Sequence, residues 1–187
     1  MARWWEPPGD LDAKYGPAID GTEPTEYFVV EVGDEAVGLI QRYRHCDHGE
    51  WDAEVGIPGA VGIDYLLGDP AHCGRGLGTR MIAAFLDTVR QRYPDAEVVV
   101  AAPQEANVAS CSALEKAGFT RREVRQLASE GPWDAGPSAV YVYSALSSET
   151  SSSSTASKAD STSSASRRAR TTSSSSADTS TSTAPIG

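Results

Sequence analysis

Ten residues, "HCGRGLGTRM" from His72 to Met81, set three glycines between a strand-like run and an amphipathic helical pattern. Upstream, "VGIDYLL" (Val61–Leu67) is rich in strand-forming residues, and Asp69-Pro70 breaks the chain. Downstream, apolar residues recur at Leu77, Met81, Phe85 and Val89 with Arg80, Asp87 and Arg90 off the stripe, which predicts a helix ended by Tyr93-Pro94. A strand feeding a helix through such a loop gathers free backbone N–H groups and the positive helix end at one point, which is how a fold holds phosphate without a lysine. Gly74, Gly76 and Gly78 would let the backbone approach a pyrophosphate, and Arg75 or Arg80 could add charge. On the glycines alone, a turn needed only for backbone geometry explains the loop equally well.

The surroundings narrow the choice. No lysine follows the glycines, so this is not the G-x-x-x-x-G-K-[ST] loop of a nucleotide triphosphatase. "GRGLG" also lacks the G-x-G-x-x-G spacing of a dinucleotide fold, whose first strand would not follow a hairpin. A hairpin is what precedes it: Tyr27–Val32, a turn at Gly33-Asp34, and Ala36–Tyr43. His45–Gly59 reads as a polar loop. After the long helix come a buried-type strand (Glu97–Ala102) and a short helix from an Asn107 N-cap to Ala117, closed by Gly118. Strands over Phe119–Gln126 and Ala139–Ser144 complete the set. Antiparallel pairing followed by β-α-β-α-β implies an α+β domain with a mixed sheet. The pyrophosphate of coenzyme A is then the phosphate ligand to consider.

One domain over residues 1–146 is expected. Beyond it, Ser147–Gly187 holds 25 Ser or Thr in 41 positions and one apolar residue larger than Ala, too little to bury, which predicts a disordered tail. The first 146 residues carry 12 basic and 23 acidic side chains, a formal charge of −11. That balance opposes nucleic acid and anionic membranes and favours cationic small molecules. Cys46, Cys73 and Cys111 are odd in number and widely spaced, as expected of reduced thiols in a cytoplasmic protein. The cluster His45, Cys46, Asp47, His48 lacks distant ligands, so no metal is expected. No apolar run approaches the ~20 residues of a membrane span, so a soluble chain is expected.

"GIDYLLGDPAHCGRGLGTRM" followed by "PQEANVASCSALEKAGF" resembles the acyl-CoA N-acyltransferases of the GNAT superfamily, and within it the aminoglycoside 6'-N-acetyltransferases. The likeness runs from "RWWEP" (Arg3–Pro7) through "GLIQRY", Trp51, "PGAVGID" and "GRGLGT" to "AVYVY", nearly all of residues 3–145. It implies a mixed sheet, splayed between "GIDYLL" and "EVVVAA" and flanked by helices, with acetyl-CoA as co-substrate. Leu66 and Leu67 would offer backbone groups to the pantetheine arm, and the amides of Gly74, Arg75, Gly76, Leu77, Gly78 and Thr79 would hold the pyrophosphate. Asn107 would bind the cofactor chain. Asp64 matches a family carboxylate that contacts the amine, and the oxyanion donor would be a backbone N–H near Leu66. Such chemistry needs a carboxylate beside the amine and a fixed donor beside the developing oxyanion.

Glu50, Asp52 and Glu54 around Trp51 would form an acidic rim for a polycationic sugar, with Gln41 and Tyr43 hydrogen-bonding substrate or facing solvent on an edge strand. Trp51 is a sugar platform or a core residue.

Two departures from the family pattern stand out. Leu114 occupies the place of a Tyr that protonates the departing thiolate, so Ser112 or Tyr143 would stand in, or the thiolate leaves unaided. Only three residues precede the "WW" motif, which implies that the first strand and helix are missing. The expectation is a monomer or homodimer that acetylates a cationic amine by direct transfer, since nothing in the sequence pairs Cys73 or Cys111 with an activating His. Its rivals are a siderophore-type N-acyltransferase and a binding protein with little turnover.

Overall fold

A computed structural model describes residues 9–128, 131–132 and 135–145. The Arg3–Pro7 motif and the Ser/Thr-rich segment lie outside the described residues. The elements run α1 (Leu11–Ile19), β1 (Glu26–Val32), β2 (Glu35–Arg44), α2 (Gly49–Val55), β3 (Val61–Leu67), α3 (Leu77–Arg92), β4 (Val98–Ala101), α4 (Val108–Lys116), β5 (Thr120–Gln126) and β6 (Pro137–Ser144). Two of these helices correct the sequence reading. Asp10 caps α1, its carboxylate accepting from the Asp12 and Ala13 amides at 3.1 Å, so a helix does precede the hairpin. Gly16-Pro17 inside it had hidden the helical signal. No strand precedes β1 among the described residues. The polar loop at His45–Gly59 instead contains α2, closed by Gly56 in the left-handed conformation.

The six strands form one sheet in the order β1-β2-β3-β4-β6-β5, antiparallel except for β3 beside β4. One face packs on α3 and α4. There the stripe Met81, Ile82, Phe85, Leu86 and Val89 meets Ile40, Val61, Ile63 and Tyr141, all buried. The buried Arg42 on this face donates to the Glu26 carboxylate at 2.6 Å and to the Thr88 carbonyl at 2.6 Å, which ties β1 and β2 to α3. On the other face Val55 and Ile57 pack with Val100, Leu127 and Val140.

The β2–β3 ladder runs unbroken to Leu67, but β3 pairs with β4 only at Val61↔Val99 and Gly62↔Val100. Beyond Gly62 the two strands part. The expected splay is therefore present, and it opens next to Asp64.

Gly62 marks where the splay begins, and its lack of a side chain is required. Tyr43 lies opposite it, and a Cβ at Gly62 would stand 2.4 Å from the tyrosine Cζ. Gly62→Ala should lower stability by about 1–3 kcal/mol, since a packed ring must move. A urea midpoint that does not shift would contradict this packing.

Candidate active site

The gap between β3 and β4 is a cleft of about 210 Å³ bordered by Trp51, Asp64, Tyr65, Gln104, Asn107 and Ser110, among others. Of the residues expected at the site, it thus gathers Trp51, Asp64 and Asn107. Asp64 and Gln41 are cross-strand partners, and the Gln41 amide donates to the Asp64 carboxylate at 2.8 Å. The Tyr43 hydroxyl lies beside the same carboxylate. Burial, then the charge and hydrogen bonding of Asp64, push that phenol well above its ordinary pKa, so it stays protonated. β2 lies between β1 and β3, so neither Gln41 nor Tyr43 is on an edge strand, and Tyr43 is buried. Both orient the Asp64 carboxylate.

Backbone direction corrects the expectation for Leu66. The Gly68 amide donates to the Val37 carbonyl at 2.8 Å, just past the end of the antiparallel ladder. In such a ladder alternate residues turn their N–H and C=O to the partner. Leu66 and Asp64 therefore spend theirs on β2, while Ile63, Tyr65 and Leu67 turn theirs toward the open gap. The pair able to hold an added strand is Tyr65 and Leu67, and the donor facing the gap near Asp64 is at Tyr65 rather than Leu66. The Leu66 side chain sits on the opposite face from α3, the same face as Asp64.

The glycine loop follows β3 through a single 3₁₀ turn, Pro70–His72, capped by Asp69. Gly74 and Gly76 take φ of +72° and +75°, which any side chain would strain, yet a Cβ at either would meet nothing within 4 Å. Space is left in front of the backbone. Gly76 caps α3 without a side-chain hydrogen bond, and Arg80 makes the first i→i−4 donation, to Gly76 at 3.1 Å. Helix geometry then points the amides of Leu77, Gly78 and Thr79 outward along the axis. Asn107 caps α4, its oxygen accepting from the Ser110 amide at 3.3 Å while its side chain borders the cleft.

The acidic rim does not form as one surface. A helix turns about 100° per residue, so Glu50 and Asp52 leave α2 on opposite sides. The Glu54 carboxylate accepts from the Ala128 amide, and its backbone carbonyl accepts from Arg125 at 2.8 Å, so Glu54 fastens α2 to the segment after β5. Trp51 packs against the second core and also borders the cleft.

Leu114 is fully buried in the core. The Tyr143 hydroxyl accepts from Arg90, and neither Tyr143 nor Ser112 borders the cleft. The hydroxyls that do are those of Tyr65 and Ser110, 2.7 Å apart, and Ser138. Sequence reasoning missed Tyr65 and Ser110. Alternation along β3 would have placed the Tyr65 backbone at the gap, but the Ser110 contact needs the packing of α4.

His45, read from the sequence as part of a polar-loop cluster, is buried instead. It is 1% exposed, stacked on Tyr43 at 5.7 Å, with both ring nitrogens buried and unpaired among the described residues. Among those residues no group of three or more His, Cys, Asp or Glu could hold a metal ion, and no helix is long and apolar enough to cross a membrane. The three cysteines form no disulfide.

A parted pair of strands, outward amides at a glycine-capped helix and a carboxylate between them form one constellation. Residues 1–127 match the family model described as an acetyltransferase (GNAT) domain. The chain belongs to the GNAT acetyltransferase family. This GNAT domain is 30% identical over 116 residues to the aminoglycoside N(6')-acetyltransferase type 1 of Klebsiella pneumoniae, covering 60% of this chain and 56% of that protein. It therefore spans little more than half the length of that relative. A kanamycin resistance protein from Rhizobium radiobacter is 33% identical over 78 residues, 41% of this chain and 69% of its own. Among solved structures, the aminoglycoside acetyltransferase AAC(6')-Ib in complex with coenzyme A and kanamycin superposes with a TM-score of 0.63 at 26% identity. That match covers 76% of this chain and 81% of the other.

Proposed function

We propose that this GNAT domain is an acetyl-CoA-dependent N-acetyltransferase that passes the acetyl group directly to an amine of a cationic small molecule, an aminoglycoside in the first instance, in the cytoplasm. The observation that carries the reading is the Asp64 carboxylate, fixed by Gln41 at 2.8 Å at the point where β3 leaves β4. The relatives' names supply the substrate class, and a formal charge of −11 on the first 146 residues suits a polycation.

The residues present fit the co-substrate. The amides at the start of α3 face open space suited to a pyrophosphate, and the gap-facing backbone of Tyr65 and Leu67 suits an extended amide chain. The bound thioester supplies the acetyl group. Asp64 receives the ammonium, holds it by charge, and accepts its proton or holds the cation until water does. The Tyr65 N–H faces the gap as a donor for the carbonyl oxygen. The free thiols are left unused, because the amine attacks without an acyl-enzyme stage.

Coenzyme A release from acetyl-CoA, measured with kanamycin and tobramycin, tests the reading. Amine-dependent release supports it. Bound acetyl-CoA with no release from any amine would leave a binding protein instead. Gly76→Ala probes the loop separately. It forces a methyl-bearing residue into the left-handed region at a cost of about 1–2 kcal/mol, so the Kd for acetyl-CoA should rise roughly tenfold. An unchanged Kd would leave the loop a simple turn.

A further inference from the structure

A second cavity, of about 570 Å³, lies between α1 and the β1–β3 surface, walled by Tyr15, Ile19, Tyr27, Val29, Leu39 and Leu66. Its contents are unlike those of the cleft. The polar side-chain groups on its wall are the two tyrosine hydroxyls; the rest is hydrocarbon. The Gly38 backbone also borders it. The mouth leaves Ile19 83% and Val29 62% exposed, apolar area that gains by being covered.

This cavity adjoins Asp64. Leu39↔Leu66 and Gln41↔Asp64 are pairs two residues apart on the same ladder and face, about 6–7 Å apart along the strand. Tyr27 bridges them. It pairs with Gln41 on β1, meets Tyr15 of α1 edge-on at 5.1 Å, and has its phenol pushed up to about 12 by burial, then by Glu23, Tyr15 and Asp64. The surface thus runs from a carboxylate, past a tyrosine edge, into hydrocarbon.

We infer that the cavity receives the apolar body of the acceptor, so that the protein takes amphipathic primary amines, in which an alkyl or aryl group follows the ammonium by a short spacer. The inference rests on the reading of Asp64 as the group that meets the amine, and it extends the acceptor class beyond sugars. A polyol seated here would exchange water for hydrocarbon at most of its hydroxyls, which is unfavourable. An alkyl chain loses nothing and buries its methylenes against Leu39, Val29 and Leu66.

Calorimetric titration of the full chain with ethylammonium and n-hexylammonium tests this without requiring turnover. The hexyl amine should bind on the order of tenfold to a hundredfold more tightly, from four extra methylenes partly buried. Ala18→Phe, which fills the cavity from α1, and Leu39→Ser, which makes its wall polar, should each reduce that preference to threefold or less. Equal affinity, no binding of either amine, or a preference that survives both replacements would overturn the inference. Asp64→Asn should weaken both amines alike. A hexyl preference with no coenzyme A release from any amine, n-hexylamine and kanamycin included, would remove the transferase reading and leave the cavity's specificity standing.

Discussion

Asp64→Asn lowers amine-dependent kcat/KM by about 10²–10⁴-fold, the range that loss of a positioned base removes, and leaves acetyl-CoA affinity within twofold. The substitution keeps the shape of the side chain and removes its charge. Gln41 donates to one carboxylate oxygen and the Tyr43 hydroxyl lies alongside, so Asn can remain in place while no longer attracting an ammonium. Acetyl-CoA affinity should hold because the groups proposed to grip it are backbone amides on β3 and at the start of α3, not side chains. Steady-state release of coenzyme A and a separate binding titration check the two halves. A variant that retains wild-type turnover would show that Asp64 only caps the end of its strand pair, and one that loses acetyl-CoA binding as well would show that it supports the fold.

Acid should destabilise the domain through His45. Burial, followed by the neighbouring His48, holds its pKa down to about 4, against the ordinary 6.5, and outweighs the nearby Asp52. Between pH 6.5 and 4 the unfolded chain binds a proton that the folded chain refuses. Stability is therefore whole above pH 6.5 and falls as the pH drops through that window, by about 2–3 kcal/mol at pH 4.5. His45→Phe keeps the stack on Tyr43 and removes the titration. Urea midpoints at pH 7.5 and 4.5 should accordingly separate wild type from variant, with the wild type losing more of its stability. Equal losses in both proteins would mean that the ring reaches water or a partner when protonated.

Much of this architecture was legible in the chain. β3 was placed at Val61–Leu67 with the bounds observed, and α3 was found from its stripe and the Tyr93-Pro94 stop. Both rest on local rules, side-chain period and turn chemistry, that neighbouring segments do not alter. α1 and α2 escaped notice for different reasons. α1 carries Gly16-Pro17 in its interior, and α2 displays alternate charges that look like a solvated loop until packing buries Val55. Asp64 was singled out through its motif, and the structure places Gln41 on it.

The sequence by itself determined the glycine loop leading into a helix, the succession of strands along the chain and the carboxylate on β3, because each depends on residues adjacent in the chain. Only the tertiary structure decided which backbone groups face the gap, since that turns on where β2 begins its ladder and where β4 stops following β3. It also decided that Glu54 is tied to Ala128, that Leu114 and Tyr143 stand away from the cleft, and that a hydrocarbon cavity continues from Asp64. These are contacts between segments distant in sequence. No local pattern encodes them, because each arises from the summed packing of elements whose separate preferences leave their relative placement open.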